Sequence, residues 1–210
     1  MPTKKATTTG AAKDVSKTIS IPPLSISIMK LTLIGDSPLI THQWSAKAKK
    51  MMLDKQMKKA KTAKAAKDPE QDYKDSLYEY PGGGYGFPTI GIKAAAVNAA
   101  AQCDMFKTDA RATFHIDGEL VKIDGEPEPR EDMVRVGMGT ADIRYRGEFK
   151  NWSTTFTIRY NASVLSAEQI VNLFNAAGFG VGIGEWRPQK SGSYGRFHVA
   201  TGAEAKAATA

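Results

Sequence analysis

Apolar and polar side chains alternate over residues 24–34 (Leu-Ser-Ile-Ser-Ile-Met-Lys-Leu-Thr-Leu-Ile), the period of a strand with one buried face. Gly35-Asp36-Ser37-Pro38 ends that strand as a turn. Residues 45–67 contain strong helix formers and neither Gly nor Pro. Their apolar stripe (Leu53, Met57, Ala60) is thin, which predicts an exposed helix. A polar stretch and a glycine-rich turn at 81–86 lead into 90–103, an alanine-rich helix suited to close packing on a sheet. Residues 113–123 read as a hairpin about Asp117-Gly118. Residues 124–132 read as an acidic, proline-bearing loop, and 133–136 and 142–145 as short strands flanking a turn at 137–139. Residues 152–160 form the clearest strand. Ser166 and Gln169 make a capping box for a helix that buries Ile170, Phe174 and Ala177. Gly178 falls where a left-handed C-terminal residue is expected, and 194–199 closes the pattern as a strand.

The order strand, helix, strand hairpin, strand, helix, strand is the split β-α-β-β-α-β pattern of an α+β, ferredoxin-like (RRM-like) fold. The open sheet face of such folds commonly binds single-stranded nucleic acid. One domain is expected over 18–200, with a lysine-rich insertion at 45–86. Residues 1–17 and 201–210 are small, polar and aperiodic, and read as disordered tails.

Charge sharpens this picture. The total is +7. Nine lysines between Lys47 and Lys67 face Asp54 alone, a local +8, which leaves the other 189 residues at about −1. A basic arm on a near-neutral body favours a localised polyanion contact, although a lysine-rich helix also serves as plain solvated surface. A single cysteine, Cys103, excludes an internal disulfide and a cysteine-clustered zinc site. No run of 18 apolar residues exists to cross a membrane, and the start has no apolar signal core, so a cytoplasmic protein is expected.

The candidate chemistry concentrates at 178–197, where Gly180, Gly182 and Gly184 precede Trp186, Arg187, Lys190, Tyr194 and Arg196. In extended chain, the glycines would leave one bare face that admits a phosphate or a backbone, while Phe179, Val181 and Ile183 pack into the core. Equally, the glycines allow close helix–strand packing. The arginines and the lysine suit phosphate contact, and Trp186 or Tyr194 suits base stacking; the alternative is a Trp186 core anchor beside a salt-bridged Arg187. Lys47, Lys49, Lys50, Lys55, Lys58 and Lys59 would grip a sugar–phosphate backbone without reading sequence. Lys93, at a helix start, suits a phosphate or open surface equally well. His42 is a lone histidine just after the first turn, a type more often structural than catalytic, and His115 and His198 sit in strand patterns without an evident partner. No paired carboxylates and no metal-ligand cluster stand out, so no catalytic residue, metal or cofactor is assigned.

Three segments carry a family resemblance. Leu33-Ile34-Gly35-Asp36-Ser37-Pro38-Leu39-Ile40 resembles the first strand and "SPL" turn of the RAMP (repeat-associated mysterious protein) superfamily. Phe87-Pro88-Thr89-Ile90-Gly91-Ile92-Lys93-Ala94-Ala95-Ala96 resembles its "IPGSSLKGALR" segment, with Gly91-Ile92-Lys93 in place of Ser-Leu-Lys-Gly. The stretch 178–197 resembles its C-terminal glycine-rich loop. The backbone subunit of CRISPR effector complexes is the nearest flavour, and small phage-encoded proteins with "SPLI-H" and "WRP…GRF" look similar. The resemblance implies guide-RNA binding, side-by-side assembly with copies or other effector subunits, and a hairpin arm near Arg144 and Arg146. Some relatives that process RNA use a histidine as general acid or base, which makes His42 a minor ribonuclease candidate. The expectation is therefore a non-enzymatic, self-assembling binder of single-stranded nucleic acid, with RNA favoured over DNA. A phage structural or accessory protein using the same surfaces for protein contacts, or a phage single-stranded-DNA-binding recombination or replication protein, is the alternative. The governing picture is a positive trough, with the lysine arm and the closing loop on one side.

Overall fold

The computed structural model describes residues 23–59, 66–137 and 139–208. The expected tail at 1–17 lies outside them. The first half of the chain runs β1 (Ile26–Gly35), β2 (Leu39–Thr41), α1 (Ala46–Gln56), α2 (Pro69–Asp75), β3 (Tyr78–Glu79), β4 (Tyr85–Pro88) and α3 (Thr89–Ala99). There follow α4 (Lys107–Thr113), β5 (Phe114–Ile116), β6 (Leu120–Ile123), β7 (Pro127–Val136) and β8 (Thr140–Phe149). The chain closes with β9 (Ser153–Asn161), α5 (Ala167–Gly180), β10 (Phe197–Val199) and α6 (Gly202–Ala208).

The result is a mixed α+β fold with three antiparallel sheets. The alternating pattern of β1 puts Leu31 and Leu33 on the buried face, paired with Phe156 and Thr154 of β9. β1 lies between β9 and β10, and β5 closes the far edge, giving the order β10-β1-β9-β5. α3 and α5 cover one face of this sheet. Ile92, Ala95, Ala96 and Ala99 of α3 meet Ile170, Phe174 and Ala177 of α5 there, all fully or nearly fully buried. The alanines let the helices approach closely, and Phe174 sits edge-on to Phe114 at 5.7 Å between ring centroids.

Several expected elements take a different form. Residues 113–123 are not a hairpin: β5 pairs with β9, whereas β6 pairs with β4 in a second sheet, β3-β4-β6. Thr89, at the start of α3, holds them apart. Its backbone N–H donates to the Glu119 carbonyl (3.0 Å), and its hydroxyl donates to the carbonyl of Gly118 (2.8 Å). The acidic stretch at 124–132 is largely strand, part of a long β7–β8 hairpin in the third sheet, β2-β8-β7. Its charges are answered across the strands by Arg130–Glu148 (2.8 Å), Arg146–Asp132 (3.1 Å) and Lys150–Glu128 (2.6 Å). Pro127 and Pro129 are tolerated because β7 is an edge strand.

The expected helix over 45–67 ends at Gln56. Ser45 caps its start, accepting from the Ala48 N–H (3.2 Å). Beyond it the chain turns through Lys58 in the left-handed region (φ 54°), and 60–65 lie outside the described residues. Residues 202–208 form α6, where disorder was expected at 201–210. Glu204 accepts from the backbone N–H (2.8 Å) and hydroxyl (2.7 Å) of Thr201, and so closes the start of this helix.

Candidate nucleic-acid interface

The glycine-rich stretch is not an extended ribbon. α5 runs through Gly178 to Gly180, and the left-handed residue after it is Gly182 (φ 69°). Gly178 lies inside the helix because α5 crosses β10 at backbone contact: a Cβ there would stand 1.8 Å from the Phe197 carbonyl oxygen. At Gly180 a Cβ would meet only the side chain of Gln102. The bare-face expectation for these glycines is thus corrected, since their open side is filled by this chain itself.

From 181 to 196 the loop is wired to its surroundings. Ile183 N–H donates to Gly195 (2.9 Å), Glu185 N–H to Ile40 of β2 (3.0 Å), and Gly195 N–H to Pro38 (2.8 Å). Arg187 is the internal staple: Nη1 donates to the Gly184 carbonyl (2.9 Å) and Nε to Gln189 Oε1 (3.4 Å). Trp186 is held at φ 52°, uncommon for a bulky side chain. The Tyr194 N–H to the Trp186 carbonyl (3.1 Å) and Gly192 N–H to Arg187 (3.1 Å) fix that conformation. The Trp186 ring is 41% exposed, so it is not a core anchor. Tyr194 carries the Arg130 guanidinium over its ring at 4.7 Å. Lys190 is exposed, and Arg196 Nε reaches the Ser193 carbonyl at 3.3 Å.

One cleft borders the loop, and a second adjoins it at His42. The first, of about 220 Å³, has Phe87, Ala94, Ala95 and Ile183 as apolar walls and His42, Tyr78, Asn98, Glu185 and Gln189 as polar groups; Gly182, Gly184 and Arg187 complete one side. The second is a groove of about 800 Å³ between α1 and the α2–β8 wall. Lys47, Lys50, Met51 and Asp54 of α1 line it at helical spacing, opposite Asp72 and Asp75 of α2 and Asp142, Arg144 and Tyr145 of β8. His42 lines both clefts. The lysine helix and the closing loop thus line separate clefts that have His42 in common, and the groove beside α1 is of mixed charge rather than uniformly positive. Asp142 itself is bridged by Lys67 (2.5 Å) and Arg144 (3.0 Å).

The remaining expected residues are more dispersed. Lys49 stands over the Trp44 ring (5.6 Å), Lys59 pairs with Asp54 (3.0 Å), and Lys55 and Lys58 are exposed beside the groove rather than in it. Lys93 is not part of either cleft. It packs by His115 Nδ1 (3.2 Å) and over the Phe114 ring (5.6 Å) at the β5 edge. Burial there lowers the pKa of its ammonium, with Arg111 adding to the effect.

Glu185, which the sequence reading did not single out, faces His42 across the first cleft. His42 Nδ1 lies 3.8 Å from Glu185 Oε1. The neighbouring His42 holds the Glu185 carboxyl below the usual carboxylate range against the opposing effect of burial, and the charges of Arg146 and Arg187 add to the lowering. The Tyr78 hydroxyl is raised, by burial first and then by Glu185. Arg146 is 5% exposed, and its Nε finds no hydrogen-bond partner among the described residues. The Glu-Trp-Arg-Pro sequence gave no hint that its acid would meet a histidine 143 positions earlier, because that meeting depends on how β2 docks on the loop. No group of three or more His, Cys, Asp or Glu side chains among the described residues is placed to hold a metal ion. No helix among them is long and apolar enough to cross a membrane.

No family model and no curated protein matches this chain. Solved structures do. The fold is similar to a chain in the cryo-EM structure of the Type III-B Cmr-beta bound to cognate target RNA, with a TM-score of 0.50 and 8% identity over 84% of this chain. This chain spans 59% of that one. Cmr6 from Pyrococcus furiosus is matched over 100% of its length by 85% of this chain, at 9% identity and a TM-score of 0.43. At these identities the first likeness shows a shared fold alone, and the second is too loose to add to it.

Proposed function

We propose that this protein binds single-stranded nucleic acid, RNA before DNA, as a non-enzymatic subunit that assembles side by side along the strand. The observation that carries this reading is the meeting of the two clefts at His42, with Lys47 and Lys50 on one flank and the closing loop on the other. A strand lying across that junction would meet α1 lysines on its phosphates, and the exposed Trp186, which lines neither cleft, is a stacking surface for bases beyond it. The sheet order β10-β1-β9-β5, with α3 and α5 as crossovers, supports a split β-α-β-β-α-β core. The fold likeness to a chain from a complex bound to target RNA points the same way.

The test is the salt dependence of affinity for a labelled oligoribonucleotide and its deoxy counterpart. Affinity should fall with a slope of roughly 0.7 per phosphate contacted. A Lys47→Ala/Lys50→Ala variant should lower that slope by about one to two such contacts. No measurable binding, or a flat salt dependence, overturns the reading. Recovered RNA should be intact, with or without His42→Ala. A second reading rests on Met51, Met52, Leu53 and Met57, which α1 leaves more than half exposed or nearly so. These side chains suit an apolar protein partner, as in a phage accessory protein. Assembly on gel filtration without any oligonucleotide favours that reading, and assembly only with it favours the first.

A further inference from the structure

The first cleft carries a feature that a general backbone binder does not need. An ionised carboxylate, Glu185, lies on its wall. A phosphate placed there would face that like charge, and Arg187 on the same cleft is engaged by the Gly184 carbonyl and Gln189, so the cleft is poorly suited to the sugar–phosphate backbone. Its size is also telling: at about 220 Å³ it falls below the roughly 300–1,000 Å³ of drug-sized pockets, the scale of a single ring system. The apolar walls, Phe87, Ala94, Ala95 and Ile183, offer surface to the faces of a flat ring.

The polar groups define which ring. Glu185 offers only acceptors, and its ion pair with His42 Nδ1 is long, at 3.8 Å. Asn98 Oδ1 is taken by Lys107 Nζ (3.1 Å), and Gln189 Oε1 by Arg187 Nε (3.4 Å). With both amide oxygens engaged by cationic donors, the two NH₂ groups remain as the donors these amides have left to offer. The cleft thus pairs a bidentate acceptor with neutral donors. Guanine presents the complement: two adjacent donors, N1–H and the 2-amino group, beside the O6 acceptor. Adenine and cytosine set a ring acceptor next to their amino group, which would face the carboxylate. Uracil has one donor between two acceptors.

We infer that this cleft is a base-reading pocket that takes one guanine of the bound strand, with Glu185 accepting from N1–H and the 2-amino group and Asn98 or Gln189 donating to O6. The inference rests on the nucleic-acid-binding function proposed above and adds sequence preference to it.

The experiment compares an oligouridylate with strands of equal length carrying one central guanosine, inosine or adenosine, in ribose and deoxyribose form, by fluorescence anisotropy. Guanosine should improve affinity over adenosine by roughly tenfold or more, the range of a good bidentate base contact. Inosine, which lacks the 2-amino group, should fall between them. Glu185→Gln should erase the guanosine preference while binding plain oligouridylate at least as well as wild type. Salt-dependent binding of every strand with no guanosine preference overturns the pocket and leaves the proposed function standing. If no strand binds, the proposed function fails, and the pocket is then decided by saturation-transfer NMR with free guanosine and adenosine. A guanosine-selective response that Glu185→Gln abolishes supports it, and equal or absent responses overturn it.

Discussion

The glycines of the closing region act by what they leave out. Gly178→Ala would drive a methyl group into the Phe197 carbonyl, at a built distance of 1.8 Å between two backbone segments that cannot yield separately. Overpacking of this kind costs about 1–3 kcal/mol or more, so a clear loss of Tm is expected in thermal unfolding. Gly137→Ala, at an exposed tip with nothing within 4 Å of the added atom, should cost much less despite its φ of 62°. Equal losses in the two variants would refute the close-crossing argument. Glu185 gives a pH counterpart. Because its carboxyl is lowered in the fold, its ionised form stabilises the folded state above the ordinary carboxylate range. That contribution is lost as pH falls through the lowered value. Glu185→Gln should therefore flatten the acid limb of Tm against pH, and an acid limb that overlays wild type assigns the effect to other groups. The sequence marked these positions without explaining them. A glycine's absent side chain is visible in sequence, whereas the carbonyl it makes room for comes from a different strand.

At the scale of elements, local signals were the legible ones. The Ser166–Gln169 box starts α5 with both reciprocal hydrogen bonds present (2.9 and 3.2 Å), and the alternation of β9 matches its burial, whereas β1 buries Leu31 and Leu33 but leaves Ile26 and Ile28 exposed. The Thr201-x-x-Glu204 box was equally readable as a helix start, but the small, polar composition around it masked the signal. The β7–β8 hairpin was hidden because its stability lies in cross-strand ion pairs rather than in apolar alternation. Its centre is Arg146–Asp132, with side chains 6% and 8% exposed. Asp132→Ala would leave Arg146 buried without its carboxylate, a loss of about 3–5 kcal/mol by equilibrium denaturation. Replacing both residues together, as Asp132→Leu/Arg146→Met, should recover most of that loss. A double variant as unstable as the single one would show that the ion pair is not the hairpin's main support.

At the scale of the molecule, the mixed α+β class was legible, while the charge of the groove beside α1 was not. Lys47 and Lys50 line that groove, the closing loop lines the smaller cleft, and the two linings have His42 in common. Aspartates from α2 and β8, distant in sequence, line the same groove and temper its charge. Composition alone cannot register such pairing, because it depends on which elements become neighbours. The same dependence governs how the chain reaches its native form. β1, near the beginning, is completed on one side by Ser153–Asn161 and on the other by Phe197–Val199. Leu31, Leu33 and the unpaired backbone of β1 must wait for strands far along the chain, so folding is paced by distant partners and is slow for a domain of this size. During that wait the first strand is the segment most in need of a chaperone's cover.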